Sequence, residues 1–369
     1  MTDVDELKRY FEVHARAQRI KPVRYRAVLD RVHRDTDGGP GSWVGEWSGA
    51  AQDLAERGDH VGACRYYNMA RFPFVDCDAR AEALNRCVAA FEVFAADKGF
   101  RRLELAVPGG RVRCWSVGLS VTQPRPVLLV MGGIVSIKEQ WAPLLARLAG
   151  LGMAGLVAEM PGVGENTTRY TADSWQLFPA LLDAIAEQAD VTHTYALALS
   201  FSGHLALRAA ASDPRIRGVV TSGAPIAEFF TDAEWQRRVP RLTMATLSHL
   251  TGVGQDRLPS VLPGWALTPE QLAAPRIPVA YLVSGRDEII PRGESNHLRA
   301  HVPELWLAAN DDVHGSPAHT TESGLWAMRS VLRMRGTAST RAAVLGALLH
   351  LLRVRRRLTG ARPTPVNAR

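Results

Sequence analysis

Cysteine and long apolar segments are both scarce in this sequence of 369 residues. The four cysteines show no Cys-x-x-Cys spacing and are best explained as structural thiols of a reduced protein. The first residues are acidic and lack the apolar stretch of a signal peptide. The longest apolar run near the C-terminus, residues 342–352, is too short to span a bilayer. We therefore expect a cytoplasmic protein without a membrane span.

Positive charge is in excess, but it is unevenly distributed. Lys and Arg number 44 against 37 Asp and Glu, giving a net charge of +7, and much of the excess follows Arg329, including residues 353–357. An anionic partner or membrane surface is one interpretation, and a solvated helix end is the other. The basic run is short and contains no interleaved aromatic residues, which favours the solvated helix end and no nucleic-acid partner.

Hydrophobic periodicity divides the chain into three parts. Residues 1–100 carry apolar side chains at helical spacing, and no strand–helix–strand unit fits there, so we expect a helical N-terminal cap domain. Over 101–335 a β-hairpin and then alternating apolar strands and helices predict an α/β catalytic domain with a doubly wound, mostly parallel sheet. The alternation lapses at about 226–275, which we interpret as a helical lid insertion. For residues 336–369 the sequence predicts a helix followed by a basic, disordered tail.

Two helices are predicted between the central strands of the α/β part. An amphipathic pattern over residues 138–151 follows a buried strand, and a second helical pattern covers roughly 174–188. Each would connect neighbouring parallel strands across one face of the sheet.

A candidate nucleophile elbow lies in residues 195–207. An apolar strand stops at Ser200, small residues follow, and a pattern with helical spacing begins at once. The usual Gly-x-Ser-x-Gly motif is altered, because Ala198 and Ser202 stand where glycines are common. Ala and Ser are the next smallest side chains, so the strand and helix can still approach closely. Ser200 is the predicted nucleophile, with Ser202 as its rival.

An aspartate and a histidine follow the elbow along the chain, each after a predicted strand. Asp287 comes after an apolar strand and a glycine, at the edge where open α/β sheets place their sites. His314 lies on a loop after the last strand, whereas His204 belongs to the helix after the elbow and His319 is less well placed. The order Ser200, Asp287, His314 is that of a triad in which His314 is the general base and Asp287 orients it.

An oxyanion hole is predicted beside this triad. Two glycines, Gly132 and Gly133, follow an early buried strand and let the backbone approach a reacting carbonyl without obstruction. The expected donors are the N–H of Phe201 and that of Gly133 or Ile134. An ordinary turn is the alternative interpretation of the glycine pair.

Aromatic residues of the helical part and of the lid region are candidates for substrate binding. They share an aromatic side chain in a segment that could border a cavity, although aromatics at helical spacing also pack in cores. The candidates are Tyr66, Tyr67, Phe72, Phe74, Phe229, Phe230 and Trp235.

Three segments, residues 66–74, 132–139 and 160–165, together with the candidate triad, carry a resemblance to a known family. The chain resembles the FrsA-like α/β-hydrolases with a helical N-terminal domain, a family that includes pseudooxynicotine hydrolases and fungal polyketide-shortening hydrolases. The resemblance implies an α/β-hydrolase whose helical domain and insertion enclose a small-molecule substrate, and the enzymes of that family often form a homodimer. It also implies that the scissile bond is a C–C bond of a 1,3-dicarbonyl or aryl ketone, as well as an ester. The aromatic candidates suit an aromatic or polyketide-like substrate, and we expect no metal or cofactor. Glu159 departs from the aspartate that the family usually has before its Met-Pro-Gly segment.

Three functions are compatible with these residues. The leading hypothesis is a serine hydrolase that cleaves a C–C bond of a 1,3-dicarbonyl or aryl ketone, an ester or a thioester through an acyl-enzyme. A transacylase or cyclase would use the same acyl-enzyme with an acceptor other than water. A non-catalytic binding protein on a hydrolase scaffold is the third hypothesis, since the glycines beside Ser200 are absent.

Overall fold

The computed structural model describes residues 4–35, 38–336 and 340–358. The basic tail that the sequence predicts to be disordered, residues 359–369, lies outside these ranges.

Five helices precede the first strand. They are α1 (Val4–Ala17), α2 (Pro22–Leu29), α3 (Trp43–Glu56), α4 (His60–Arg71) and α5 (Asp78–Ala95). Side-chain caps fix where two of them begin, because Ser42 accepts a hydrogen bond from the third N–H of α3 and Asp59 does the same for α4. The indoles of Trp43 and Trp47 are fully buried between these helices. The helical pattern predicted for the N-terminal part is therefore present as packed helices.

One eight-stranded sheet forms the centre of the molecule. Its strands are β1 (Arg101–Val107), β2 (Gly110–Val117), β3 (Pro126–Met131), β4 (Ala154–Ala158), β5 (Asp190–Ala198), β6 (Ile216–Ser222), β7 (Pro278–Ser284) and β8 (Glu304–Asn310). The spatial order is β1-β2-β4-β3-β5-β6-β7-β8; the pairs β1–β2 and β2–β4 are antiparallel and all others are parallel. This confirms the predicted mostly parallel α/β fold with an N-terminal hairpin.

The connection between β3 and β4 differs from the prediction. A single helix over 138–151 is wrong, because only α6 (Lys138–Trp141) is α-helical and 3₁₀ turns follow over Ala142–Arg147 and Ala149–Leu151. Pro143 explains the change, since it lacks an N–H to continue the α-helical ladder. Between β4 and β5 the predicted helix is also shorter, with a 3₁₀ turn before α7 (Leu177–Ile185).

The other described helices come after β5 in the chain. They are α8 (Phe201–Ala210), α9 (Glu228–Thr231), α10 (Ala233–Arg238), α11 (Arg241–Thr251), α12 (Leu258–Val261), α13 (Pro269–Ala273), α14 (Glu294–His301), α15 (Thr320–Met334) and α16 (Thr340–Leu358). Helices α9 to α13 fill the segment between β6 and β7. The buried Glu294 of α14 holds the start of this segment, because its carboxylate accepts the N–H groups of residues 226–229. Among the described helices, none has the length and hydropathy to cross a membrane.

Candidate active site

Ser200 occupies a sharp corner between β5 and α8. Its φ of 57° lies in the left-handed region that L-residues rarely adopt, and α8 begins at the next residue. The corner is held because the Ser200 N–H donates to the carbonyl of Ser222 at 2.9 Å. A strained nucleophile at a strand-to-helix turn exposes its hydroxyl at the carboxyl edge of the sheet.

Ser202 lies two residues after Ser200, in the first turn of α8, and is fully buried. Its Oγ donates to the carbonyls of Met131 and Leu199, at 2.9 and 3.0 Å. Ala198 on the strand side is also fully buried. Small side chains therefore flank Ser200 where strand and helix approach, and the Ser202 hydroxyl is already engaged.

Three side chains from different loops meet at this corner. Ser200 Oγ lies 3.0 Å from His314 Nε2, and His314 Nδ1 lies 2.9 and 3.0 Å from the two carboxylate oxygens of Asp287. Since a carboxylate only accepts, the proton sits on Nδ1 and leaves Nε2 to accept from the serine hydroxyl. Asp287 is itself held by the N–H groups of Ile289 and Ile290. The arrangement is a hydrogen-bonded chain from hydroxyl to imidazole to carboxylate.

The electrostatics of His314 depend on two carboxylates. Burial lowers the pKa of His314, but the adjacent Asp287 and Glu288 outweigh it and raise the pKa above the usual 6.5. Glu288 lies beside the loop, where it accepts the His314 backbone N–H at 3.0 Å, and burial raises the pKa of its carboxyl. Sequence reasoning missed Glu288, although it directly follows Asp287 in the chain.

The loop after β3 lies directly against Ser200. A Cβ added at Gly133 would sit 3.0 Å from Ser200 Cβ and 3.4 Å from its Oγ, so a side chain there would crowd the hydroxyl. Within the described ranges, no acceptor is bonded to the N–H of Gly133 or Ile134. Phe201 is the first residue of α8, so its N–H has no partner within the helix. Gly133, Ile134 and Phe201 line the same cavity as Ser200, so in the described part of the chain their N–H groups are the candidates for an oxyanion hole.

A cavity of about 430 Å³ opens above Ser200 and His314. Its walls come from α1 and α4, the loop after β3, the segment between β6 and β7, and α15. Ser200, His314, Phe201, Gly133 and Ile134 all line it, whereas Asp287 lies behind the imidazole. The volume falls in the range typical of small-molecule sites. The described residues contain no group of three His, Cys, Asp or Glu side chains arranged to hold a metal.

Most of the aromatic candidates for substrate binding lie outside this cavity. Of the seven, only Phe72 lines it. Tyr66 and Tyr67 are buried in the helical core, where Tyr66 packs on Trp47 at 5.3 Å between ring centroids. Phe74 stacks on His249 beside a second, smaller cavity of about 250 Å³. For the helical part, the core interpretation is the one that fits Tyr66 and Tyr67.

The lid-region aromatics behave similarly. Phe229 packs edge-on against Phe201 with ring centroids 5.1 Å apart and does not line the cavity, and both Phe229 and Phe230 are fully buried. Trp235 donates from Nε1 to the carbonyl of Ile289 at 2.8 Å. These rings pack beside the loops that carry the site instead of lining the cavity, and the burial of Phe229 and Phe230 removes their apolar area from water.

Two other histidines considered in the sequence have separate partners. His204 is buried, with Nε2 2.8 Å from the carbonyl of Trp265, as expected for a packing role. His319 Nδ1 lies 3.0 Å from the buried carboxylate of Asp312. Neither ring is among the cavity walls.

Helix α1 supplies cavity residues that the sequence did not identify. Tyr10 and His14 line the cavity from the helical side, and the His14 ring packs on Phe72 with centroids 4.9 Å apart. Burial, followed by the charges of Arg71 and His314, lowers the pKa of His14 to about 3. His14 is therefore a neutral imidazole at physiological pH. In the sequence, the helical spacing between Leu7 and His14 was the only signal for this position. That spacing predicts a buried helix face but does not tell whether the face meets the core or a cavity.

A buried charge cluster lies under the loop after β3. Lys138 Nζ is 2.7 Å from Glu165, 2.9 Å from Glu139 and 3.5 Å from Glu159, and the side chains of Lys138 and Glu159 are completely inaccessible. Trp115 donates to Glu139 at 2.9 Å. Burial raises the pKa of Glu159 to about 7, although Lys138 opposes the shift. The cluster fixes the segment that carries Gly133 and Ile134.

Replacing Lys138 by methionine should destabilise the fold by about 3–5 kcal/mol, because buried carboxylates lose their counter-charge. The raised pKa of Glu159 means that its ionisation opposes folding, and without Lys138 that pKa rises further. The contribution of protonated Glu159 to stability is fully present below its unfolded pKa of 4.5 and is lost as pH rises through its folded pKa. The difference in unfolding free energy between the native protein and Lys138→Met should therefore grow with pH. Urea denaturation across pH measures this. The double variant Lys138→Met/Glu159→Met is the control and should recover part of the loss; an unchanged midpoint in the single variant would contradict the prediction.

Comparison with protein-family models identifies a family that this chain matches. The model of the FrsA-like family, described as esterase FrsA-like, matches residues 40–295, which is more than half of the chain. The esterase FrsA of Salmonella paratyphi B is 28% identical over 233 residues, covering 58% of this chain and 56% of the relative. The match thus spans little more than half the length of that curated relative.

Solved structures agree with this assignment. The wild-type AbyA5 structure is 52% identical and superposes with a TM-score of 0.91, covering 95% of this chain and all of the other. A 2,6-dihydroxy-pseudo-oxynicotine hydrolase shares the fold at 20% identity and a TM-score of 0.67, covering 87% of this chain and 93% of that one. The chain is therefore an α/β-hydrolase and belongs to the FrsA-like esterase family.

Proposed function

We propose that the protein is a serine hydrolase with Ser200 as nucleophile, His314 as general base and Asp287 as the acid that orients the imidazole. The observation that carries this proposal is the continuous chain of contacts of 2.9–3.0 Å from Ser200 Oγ through His314 to Asp287. The strained corner at Ser200 supports it, since it presents the hydroxyl to the cavity.

The reaction follows from these positions. His314 Nε2 takes the Ser200 proton as Oγ attacks the carbonyl carbon, and Asp287 stabilises the imidazolium that forms. The N–H of Phe201, with that of Gly133 or Ile134, donates to the carbonyl oxygen as it becomes an oxyanion. The imidazolium then protonates the leaving group as its bond to the carbonyl carbon breaks. Water, deprotonated by His314, attacks the acyl-enzyme and frees Ser200.

The substrate that we propose is a small secondary-metabolite-like molecule of aromatic or polyketide type. Its scissile bond is an ester, a thioester, or a C–C bond of a 1,3-dicarbonyl or aryl ketone, in which the leaving group is a carbanion stabilised as an enolate. The neutral His14 and the phenol of Tyr10 lie in the cavity wall and can donate hydrogen bonds to a second substrate oxygen. The apolar side chains around them suit a carbon skeleton.

The helical N-terminal domain, residues 1–100, and the lid at about 226–275 are proposed to enclose this substrate. Tyr10 and His14 in the first and Thr243 in the second contribute to the cavity wall, which supports the division. A homodimer and a cytoplasmic location remain predictions from the sequence.

Labelling and product analysis test the proposal. The native protein should react covalently with a fluorophosphonate probe, because the probe mimics a carbonyl attacked by an activated serine. Matched ester, thioester and 1,3-diketone donors then identify the bond, and added alcohols or amines separate hydrolysis from acyl transfer. A transacylase would give the acyl-acceptor product in preference to the free acid. Folded protein that neither labels nor turns over any donor would favour the non-catalytic binding protein.

A further inference from the structure

Two arginines on the helical side of the cavity have no partner. Arg19, just after α1, and Arg65, in α4, both line the cavity that contains Ser200. No ion pair or hydrogen bond of either guanidinium occurs in residues 4–35, 38–336 and 340–358. Other arginines of the chain are paired with acidic residues, as Arg80, Arg102 and Arg113 show. A half-buried guanidinium without an acceptor is costly unless a ligand supplies one.

Arg19 adds a second positive charge beside Arg65. Burial lowers the pKa of the Arg65 guanidinium most strongly, Cys64 raises it, Arg19 lowers it, and Asp59 raises it by the smallest amount. The Asp59 carboxylate is already used, because it accepts the Gly62 N–H at the start of α4. Two cations thus face the same cavity from neighbouring positions.

The acids in the cavity wall are engaged elsewhere. Glu139 is bound by Lys138 and by the indole of Trp115, and Glu288 accepts the backbone N–H of His314. Neither is paired with an arginine of the helical side. The positive end of the cavity is therefore not neutralised by the protein itself.

Helix α4 runs from Arg65 at this positive end to Arg71 beside the loop after β3. Arg65 and Asn68 lie three residues apart on the helix face that lines the cavity. Arg71, further along, donates to the carbonyl of Val135, next to the oxyanion loop. Six residues of helix separate Arg65 from Arg71, which corresponds to about 9 Å along the axis.

We propose that Arg19 and Arg65 form a binding site for an anionic group of the substrate, a carboxylate or a phosphate, in the same cavity as the carbonyl that Ser200 attacks. This inference rests on the proposed function, because it assigns the substrate class of the same site. The substrate is accordingly an elongated acyl compound, apolar in its middle and anionic at one end. The guanidinium forks match the oxygens of either anion.

Chain-length matched esters test the proposal. Mono(4-nitrophenyl) esters of succinic, adipic and suberic acid are compared with 4-nitrophenyl alkanoates of equal length, which lack the charge. The native enzyme should prefer the anionic ester at one length, and Arg65→Ala should reduce that preference about tenfold, as expected for a partly buried charge-assisted contact. Arg65→Lys should retain part of it. Inorganic phosphate should compete with the anionic ester if the site also accepts phosphate, and a lack of competition assigns it to carboxylates.

Two controls separate charge from folding. Arg26 is exposed on α2 and does not line the cavity, so Arg26→Ala should leave the preference unchanged. Arg19→Ala removes an exposed side chain and should lower the preference for the anionic ester. Equal losses on both esters in the Arg19 and Arg65 variants, or no preference in the native enzyme, would overturn the anion site.

A binding measurement makes the test independent of turnover. In the Ser200→Ala protein, methyl hydrogen suberate should bind about tenfold more tightly than methyl octanoate, and Arg65→Ala should remove the difference. If the native protein turns over no ester, thioester or 1,3-diketone donor while this difference persists, the proposed function fails and the anion site stands. If esters are hydrolysed but the two ligands bind equally, the anion site is wrong and the proposed function stands.

Discussion

Replacing Ser200 by alanine should abolish fluorophosphonate labelling and lower kcat/KM by at least about ten-thousandfold, because the covalent step is lost. Only the oxyanion donors and binding would remain to assist attack by water. The alanine adopts the same corner with a positive φ and removes no buried contact, so the fold should be retained. Intact-protein mass spectrometry after labelling and steady-state kinetics with the best ester donor measure the two effects.

Ser202→Ala is the matched control for this prediction. It removes hydrogen bonds to the carbonyls of Met131 and Leu199, which should cost about 1 kcal/mol of stability. Labelling should survive, since the Ser202 hydroxyl faces the interior. The assignment of the nucleophile is wrong if labelling persists in the Ser200 variant and disappears in the Ser202 variant.

The fold was largely predictable because the sheet imposes its pattern on the sequence. Buried parallel strands such as β3 and β4 appear as short apolar runs, and the alternation with helices constrains their order. Ser200, Asp287 and His314 each follow such a run, and the carboxyl ends of parallel strands share one edge of the sheet. The structure brings these three side chains within hydrogen-bond distance. Chain order and strand ends were enough to identify them as candidates.

The cavity wall was much harder to predict. Whether Tyr66 or Phe72 faces a cavity depends on which side of α4 meets the sheet domain, and helical spacing gives the buried face of both without distinguishing core from cavity. His14 and Glu288 reach the site from sequence-distant elements. Their contribution depends on how α1 packs against the loop that carries His314, which local sequence patterns do not encode.

Asp287→Asn should lower kcat/KM by about ten-thousandfold while leaving Ser200 in place, because the asparagine amide can stabilise the wrong imidazole tautomer and carries no charge. Asp312→Asn is the matched control. Asp312 is a buried acid of the same loop region that binds the Val313 and Ala318 N–H groups and His319, without contacting His314. It should reduce activity far less. Comparable losses in both variants would indicate that loop structure, and not the orientation of His314, limits the reaction.

The pH profile adds a test that loop damage alone would not reproduce. Only neutral His314 can accept the Ser200 proton, so kcat/KM should fall as pH drops through its pKa, which Asp287 and Glu288 raise above 6.5. In Asp287→Asn, only Glu288 still opposes the lowering of the His314 pKa by burial, so this pKa should fall. The acid limb of the residual kcat/KM should therefore move to lower pH. In Asp312→Asn the limb should stay in place. A limb that does not move in the Asp287 variant would mean that His314 is not the base whose ionisation the profile reports.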